Sequence, residues 1–599
     1  MEQKGKLPAR MEVPAKDKWH IEDLYSTDEK WEEEFEELKK KAENFGRFQG
    51  RLGECGKVLF EALKAQDEIS KLLERVYVYA SQKNHEDMGN GTYQQLYMRS
   101  QALMSQIGDI CAFVEPEILK IPDETLDKFY KEEPELSLYR RYLDEKRRRR
   151  EHILTEEMEG VLAKASQMGN GPQNIFQMFN NADLDFGMIT DEDGQKVQLT
   201  HGRYIQFMES QDQKVRREAF ESLYRAYGQF KNTLAAVFEA NVTQELFFSR
   251  MRKYGSSLEA ALDGGNIPLS VYDGLISQVH ENLYRMHDYI TLRKELLGLN
   301  ELHMYDVYVP LVKQSRNHYT FEQAKEIVRE GLAPLGADYQ AILQEGFDGG
   351  WIDIYENQGK RSGAYSWGAY GTHPFVLMNY NGSLNHVFTL AHEMGHAIHS
   401  YYSDKTQPYP YAGYRIFVAE VASTCNEALL IHYLLEQAKD KAEKKYLINY
   451  FLDQFRATLY RQTMFAEFEK KVHQMGQEGE SLTADALCRV YYDLNCEYFG
   501  KDMVVDEQIA MEWARIPHFY TAFYVYQYAT GFSAAIAISS KILKGEPGIV
   551  EKYKKFLSGG SSQDPIDLLK ICGIDMTSPE PVKEALAVFG EYLEMLKQL

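Results

Sequence analysis

Cysteine, proline and positive charge are all scarce in this 599-residue chain. Its six cysteines (Cys55, Cys111, Cys425, Cys488, Cys496 and Cys572) lie far apart with no C-x-x-C pair. That excludes a disulfide scaffold and predicts free thiols in a reducing compartment. Lysine and arginine total 68 against 90 aspartates and glutamates, a net charge of −22. Such a chain repels the phosphate backbone, so nucleic acid is not expected as a partner. The basic run Lys146–Arg150 is flanked by Asp144, Glu145 and Glu151 and reads as a solvated helix face. No apolar leader follows the N-terminus, whose MEQKGKLPARMEVPAKDKW carries charge throughout, and a cytoplasmic location is expected. Long apolar runs are missing as well. The charge-free stretch 516–540 has spanning length, but Pro517, His518, Tyr520, Tyr524, Gln527 and Thr530 would carry polar groups into hydrocarbon, so it predicts a helix buried in protein and no membrane partner.

Composition allows a large folded core, with 44% hydrophobic and 26% charged residues. Helical periodicity dominates, as where Trp31, Phe35, Leu38, Ala42 and Phe45 form one stripe after a Ser26/Thr27 start signal. With only 17 prolines, few interruptions are expected. A D-E-D-G turn at 191–194 predicts a small hairpin, and glycines between 350 and 371 surround strand-like runs at 351–355 and 374–380, followed by an Asn381-Gly382 turn. The reading is a mainly α protein with a small β-sheet before one helix. Residues 1–200 form an N-terminal helical lobe and residues 201–599 carry the chemistry.

The sequence L-A-H-E-M-G-H-A-I-H at 390–399 places His392, Glu393 and His396 in the H-E-x-x-H pattern. On a helix, positions i and i+4 share a face, so both imidazoles can reach one ion while Glu393 stands beside it as a base. One zinc ion suits these donors and keeps a position for water. A third ligand is required. The metzincin pattern fails, since His399 and Tyr402 stand where its glycine and histidine belong. A carboxylate from a second helix is the other solution, and Glu420 and Glu427 are both placed for it on the 416–435 segment. Spacing alone permits either, the remaining one supporting a histidine from behind.

His392-Glu-Met-Gly-His396 followed by Phe417-Val-Ala-Glu-Val-Ala-Ser-Thr424 resembles the oligoendopeptidase F branch of the thimet oligopeptidase family, and Trp19-His-Ile-Glu-Asp-Leu-Tyr25 resembles its N-terminal opening. The resemblance runs along nearly the whole chain. It implies a two-lobed helical ellipsoid enclosing a deep channel, zinc held by His392, His396 and Glu420, and a supporting role for Glu427. It also implies endopeptidase cleavage of short oligopeptides.

In the mechanism this implies, Glu393 takes a proton from water and returns it to the leaving amine. Neutral donors that meet the oxyanion are expected from His518 and from Tyr520, Tyr524, Tyr526 and Tyr528, which resemble the family's His and Tyr cluster. Spacing leaves the choice among the tyrosines open, with His518 and Tyr528 favoured, then Tyr524. Phe375, Val376 and Leu377 are expected on an edge strand that an extended peptide joins, with Tyr526 also against substrate. Two rivals stand beside this reading: a dipeptidyl carboxypeptidase resembling angiotensin-converting enzyme, and a noncatalytic helical binding protein with a vestigial site. The zinc residues do not separate the two peptidases, but a site freed from chemistry would not need Glu393.

Overall fold

The computed structural model describes residues 7–312 and 318–599. Helices make up 72% of the chain, and the β-structure is limited to small sheets. The described residues include seven short strands: β1 (Met188–Thr190), β2 (Lys196–Gln198), β3 (Leu302–His303), β4 (Ile352–Asp353), β5 (Tyr365–Trp367), β6 (Phe375–Leu377) and β7 (Met503–Val504). The 191–194 turn does make a hairpin, β1 against β2, with Ile189 opposite Val197. The helical stripe of the N-terminal segment is also as read. Thr27 caps a helix over Asp28–Phe45 by accepting the Lys30 N–H, and Trp31, Phe35, Leu38, Ala42 and Phe45 are its buried residues.

By compactness the chain falls into two units. One gathers Met1–Glu151, Asn317–Tyr433 and Ile538–Cys572; the other gathers His152–Arg316, Leu434–Ala537 and Gly573–Leu599. In the first, β4, β6 and β5 form one sheet with β6 in the middle, parallel to β4 and antiparallel to β5. The chain leaves β6 through Asn381 and Gly382. Gly382 sits at φ +82°, where a side chain would be strained and where a Cβ would also strike the His318 ring. Ser383 then caps the helix Leu384–Thr406 by accepting the His386 N–H. This histidine helix and the helix Ile416–Gln437, the glutamate helix, cross at Gly395. A Cβ there would lie 2.7 Å from Ser423 Cα and 2.9 Å from Ala422 O, so only glycine lets the two backbones approach this closely. Asn426, fully buried, fastens the crossing by donating to Ala391 O at 3.0 Å while accepting from the Tyr339 hydroxyl at 2.9 Å.

The 516–540 segment is a short turn of helix, Pro517–Tyr520, followed by a helix over Tyr526–Leu543. Among the described residues no helix is long and apolar enough to cross a membrane. All six cysteines are free.

Candidate metal centre

The helix crossing brings His392, His396 and Glu420 together in the first unit. The two Nε2 atoms are 3.2 Å apart, and Glu420 Oε2 is 3.5 Å from each. An ion held at about 2.0–2.1 Å from all three would see them at angles of roughly 100–120°, around the tetrahedral value. The residues present therefore fit zinc, two imidazole nitrogens and one carboxylate oxygen being its donors in catalytic sites. The Ser423 hydroxyl donates to Glu420 Oε2 at 3.0 Å and holds the carboxylate toward the histidines. On the far side of His392, the buried Nδ1 has no well-aligned hydrogen-bond partner, and Glu427 Oε1 is 3.4 Å away. A small rotation of either side chain gives the carboxylate-to-histidine contact that fixes which ring nitrogen faces the ion.

The electrostatics follow from this packing. Burial pulls the His392 imidazolium down, but the charge and hydrogen bonding of Glu427, together with Glu393 and Glu420, outweigh it and hold the group at about 9. Burial pushes Glu420 up, yet the hydrogen bond and charge of His396, aided by His392 and Ser423, bring it to about 2. Glu393 is 7% exposed, and burial raises its carboxyl above the ordinary range against the pull of the two histidines. A carboxylate raised in this way is a better proton acceptor than one in water.

A second acidic group, His280 with Glu467 and Glu497, has comparable spacing but different chemistry. Both ring nitrogens of His280 already meet carboxylates, at 2.6 Å and 3.0 Å, and Lys471 is 2.8 Å from Glu467. No imidazole lone pair is left over, so this is an ion network.

Two expectations about substrate contact need correction. Phe375, Val376 and Leu377 form β6, the central strand, flanked on both sides and wholly buried, so no peptide joins it. Their uninterrupted apolar run was the signature of a strand covered on both faces, not of an edge. Tyr526 is 3% exposed and packs on Tyr272 with ring centroids 5.0 Å apart, which makes it part of the core and not a peptide contact. Tyr520 likewise stacks on Phe176 at 4.5 Å.

The other residues of that segment assemble differently. In the second unit His518, Tyr524 and Tyr528 form one ring cluster, with centroids 6.1 Å (His518–Tyr524), 5.9 Å (His518–Tyr528) and 5.5 Å (Tyr524–Tyr528) apart. His518 is exposed and both tyrosines are half-buried. Partial desolvation of the ring by its neighbours lowers the His518 imidazolium, which favours a neutral ring near pH 7.

Sequence reasoning missed the cavity of about 640 Å³ beside β5 and the last turns of the histidine helix, lined by Ser366, Trp367, Tyr370, Asp404 and Tyr414 among others. It also gave no role to Tyr414, whose ring stacks on His399 at 3.8 Å and whose hydroxyl is 3.1 Å from the Ser400 hydroxyl. The run of tyrosines at 409–414 just ahead of the glutamate helix was the available signal.

Known proteins resemble this chain along nearly its whole length. The Peptidase family M3 profile matches residues 206–588, and that of Oligopeptidase F matches 117–186. Oligopeptidase PepF of Bacillus subtilis is 48% identical over 595 residues, covering 99% of this chain and 89% of that one. Group B oligopeptidase PepB of Streptococcus agalactiae is 38% identical, covering 98% of each. Among solved structures, oligoendopeptidase-F from Enterococcus faecium superposes with a TM-score of 0.76 at 37% identity, covering 95% of this chain and 99% of that chain. With this similarity along nearly its full length, the chain belongs to peptidase family M3, alongside the oligoendopeptidases F, and is a metalloendopeptidase.

Proposed function

We propose that this metalloendopeptidase cuts internal bonds of short oligopeptides using one zinc ion held by His392, His396 and Glu420. The observation that carries the reading is the convergence of three donor atoms within 3.5 Å of one another beside a buried Glu393. When bound, the ion supplies Lewis acidity, polarising the scissile carbonyl and making water acidic enough to lose a proton near neutral pH. Glu393 accepts that proton and hands it to the leaving amine nitrogen. Glu427 holds His392 so that Nε2 and not Nδ1 faces the ion. His518, Tyr528 and Tyr524 are the donors proposed for the developing oxyanion, their clustering being what supports the choice over Tyr520 and Tyr526.

Main-chain pairing of the peptide moves from β6 to β5. Among the described residues that strand is an outer one of the sheet and borders the 640 Å³ cavity, which supports it as the strand a peptide would join. Pairing through main-chain atoms carries little side-chain preference. The division of labour proposed is an N-terminal lobe over 1–200 and a catalytic domain over 201–599, supported by the gap between the two family matches at 186 and 206. A cytoplasmic setting accords with six free thiols. The names of the curated relatives favour oligopeptides as substrates, and that of the Enterococcus faecium structure, oligoendopeptidase-F, favours an endopeptidase over a dipeptidyl carboxypeptidase. A fluorescent peptide blocked at both ends tests this: cleavage at an internal bond supports the reading, and refusal of the blocked peptide with release of dipeptides from its free-ended counterpart overturns it.

A further inference from the structure

Glu469 lies midway along the helix Arg461–Glu478, with 0% exposure. One of its carboxyl oxygens accepts the Phe523 N–H at 2.9 Å, and the other has no hydrogen-bond partner. Among the described residues no cation pairs with it. Phe523 is an unusual residue to find at the end of such a bond. Its φ of +57° puts a bulky aromatic residue in the left-handed region, a conformation that persists only where the surroundings impose it. Its ring is wedged between His473, 4.5 Å away, and Tyr272, 5.9 Å away. Immediately after this turn comes Tyr524, and Tyr524 and Val525 carbonyls accept the Gln527 and Tyr528 N–H groups that begin the next helix. The direction in which Tyr524 and Tyr528 leave the turn is therefore set at Phe523.

We propose that Glu469 is a positioning residue for the reaction, its carboxyl holding the Phe523 N–H so that the strained turn presents Tyr524 and Tyr528 beside His518. The inference rests on the reading of that cluster as the oxyanion donors. A fully buried carboxylate with no cation is costly, so the group acts as a neutral acid, and burial together with Glu245 raises it well above the ordinary carboxyl range. A neutral acceptor is all the turn needs, and glutamine provides one of the same length.

Three measurements on Glu469→Gln and Glu469→Leu, made on the zinc-loaded enzyme with a blocked peptide, test this: kcat and KM, zinc content, and hydrogen exchange of the amides in 519–530. Glu469→Gln should stay within about two-fold of the unsubstituted protein, because the acceptor remains. Glu469→Leu should lose about 100-fold in kcat, the scale of an ångström-sized misplacement of catalytic groups. Its KM and zinc content should be unchanged, and the 519–530 amides should exchange faster. Wild-type kcat in Glu469→Leu, or equal damage in both variants, overturns the proposal. If Glu469→Leu does not accumulate as folded protein, Glu469→Asp withdraws the acceptor by one methylene and should lower kcat in the same sense; wild-type kcat there overturns it as well. His518→Ala, Tyr524→Phe and Tyr528→Phe run in parallel separate the two readings. If all three keep full kcat, the oxyanion assignment fails. The hold on the turn is then judged by exchange alone, faster exchange in Glu469→Leu supporting it and unchanged exchange refuting it.

Discussion

Replacing Gly395 with alanine puts one methyl group where two helix backbones meet. The added carbon would lie 2.7 Å from Ser423 Cα and 2.9 Å from both Ser423 N and Ala422 O, well inside contact distance. None of these is the end of a flexible side chain, so the helices themselves must part by roughly 0.5–1 Å to restore ordinary packing. Overpacking of this kind costs about 1–3 kcal/mol. Glu420 lies one turn before Ser423, and its carboxylate is 3.5 Å from both histidine nitrogens. Metal ligands tolerate shifts of only about 0.2 Å, so the separation falls on the third ligand. Zinc affinity in Gly395→Ala should drop about 10- to 100-fold, the equivalent of roughly 1.4–2.7 kcal/mol, with a parallel fall in activity at limiting zinc that excess zinc partly restores. Competition against a fluorescent chelator measures the affinity, and thermal unfolding with and without zinc measures the stability. Unchanged affinity in a folded Gly395→Ala protein would refute the argument that this glycine sets the ligand geometry.

Other expectations follow from the same geometry. Glu393→Gln should keep its zinc by elemental analysis yet lose peptide hydrolysis by at least about 100-fold, the lower range for a removed general base; undiminished turnover would reject Glu393 as the base. Glu427→Gln should weaken zinc binding or activity by about 10- to 100-fold, the usual effect of removing a carboxylate behind a ligating histidine, and wild-type behaviour in both assays would refute that role. Tyr528→Phe should lower kcat by about 100- to 1000-fold with zinc content unchanged, as for a lost oxyanion donor. In the zinc-free protein, His392 held at about 9 lies above its ordinary 6.5. Its contribution to stability is thus fully present below pH 6.5 and lost as pH rises through 9, while zinc, which needs the neutral ring, binds more tightly over the same interval. Chelator-treated protein unfolding at constant or higher midpoint between pH 6.5 and 9 would contradict this.

Much of the site was legible because its chemistry is local. An i, i+4 pair of histidines on one helix shares a face whatever the rest of the chain does, and the Asn381-Gly382 turn just before the helix is readable from residue type. The third ligand was less so. Spacing left Glu420 and Glu427 open, and it is the crossing at Gly395, a contact between segments, that puts Glu420 on the Nε2 side and Glu427 on the Nδ1 side of His392. The small sheet was read in the right place with the wrong exposure. Strand order is a tertiary property, and nothing local in Pro374–Tyr380 tells a central strand from an edge except the unbroken apolar character of 375–378. The tyrosines show the same limit: Tyr520 and Tyr526 look like Tyr524 and Tyr528 in sequence, and only packing against Phe176 and Tyr272 removes the first pair from solvent. The positive φ at Phe523 had no sequence signal at all, since glycine and not phenylalanine announces such a turn.

Crystals of the zinc-loaded enzyme measured at the zinc absorption edge should show a single strong anomalous peak about 2.0–2.1 Å from His392 Nε2, His396 Nε2 and a Glu420 carboxylate oxygen. A peak at His280, Glu467 and Glu497 in its place, or coordination that leaves Glu420 out, would contradict the assignment.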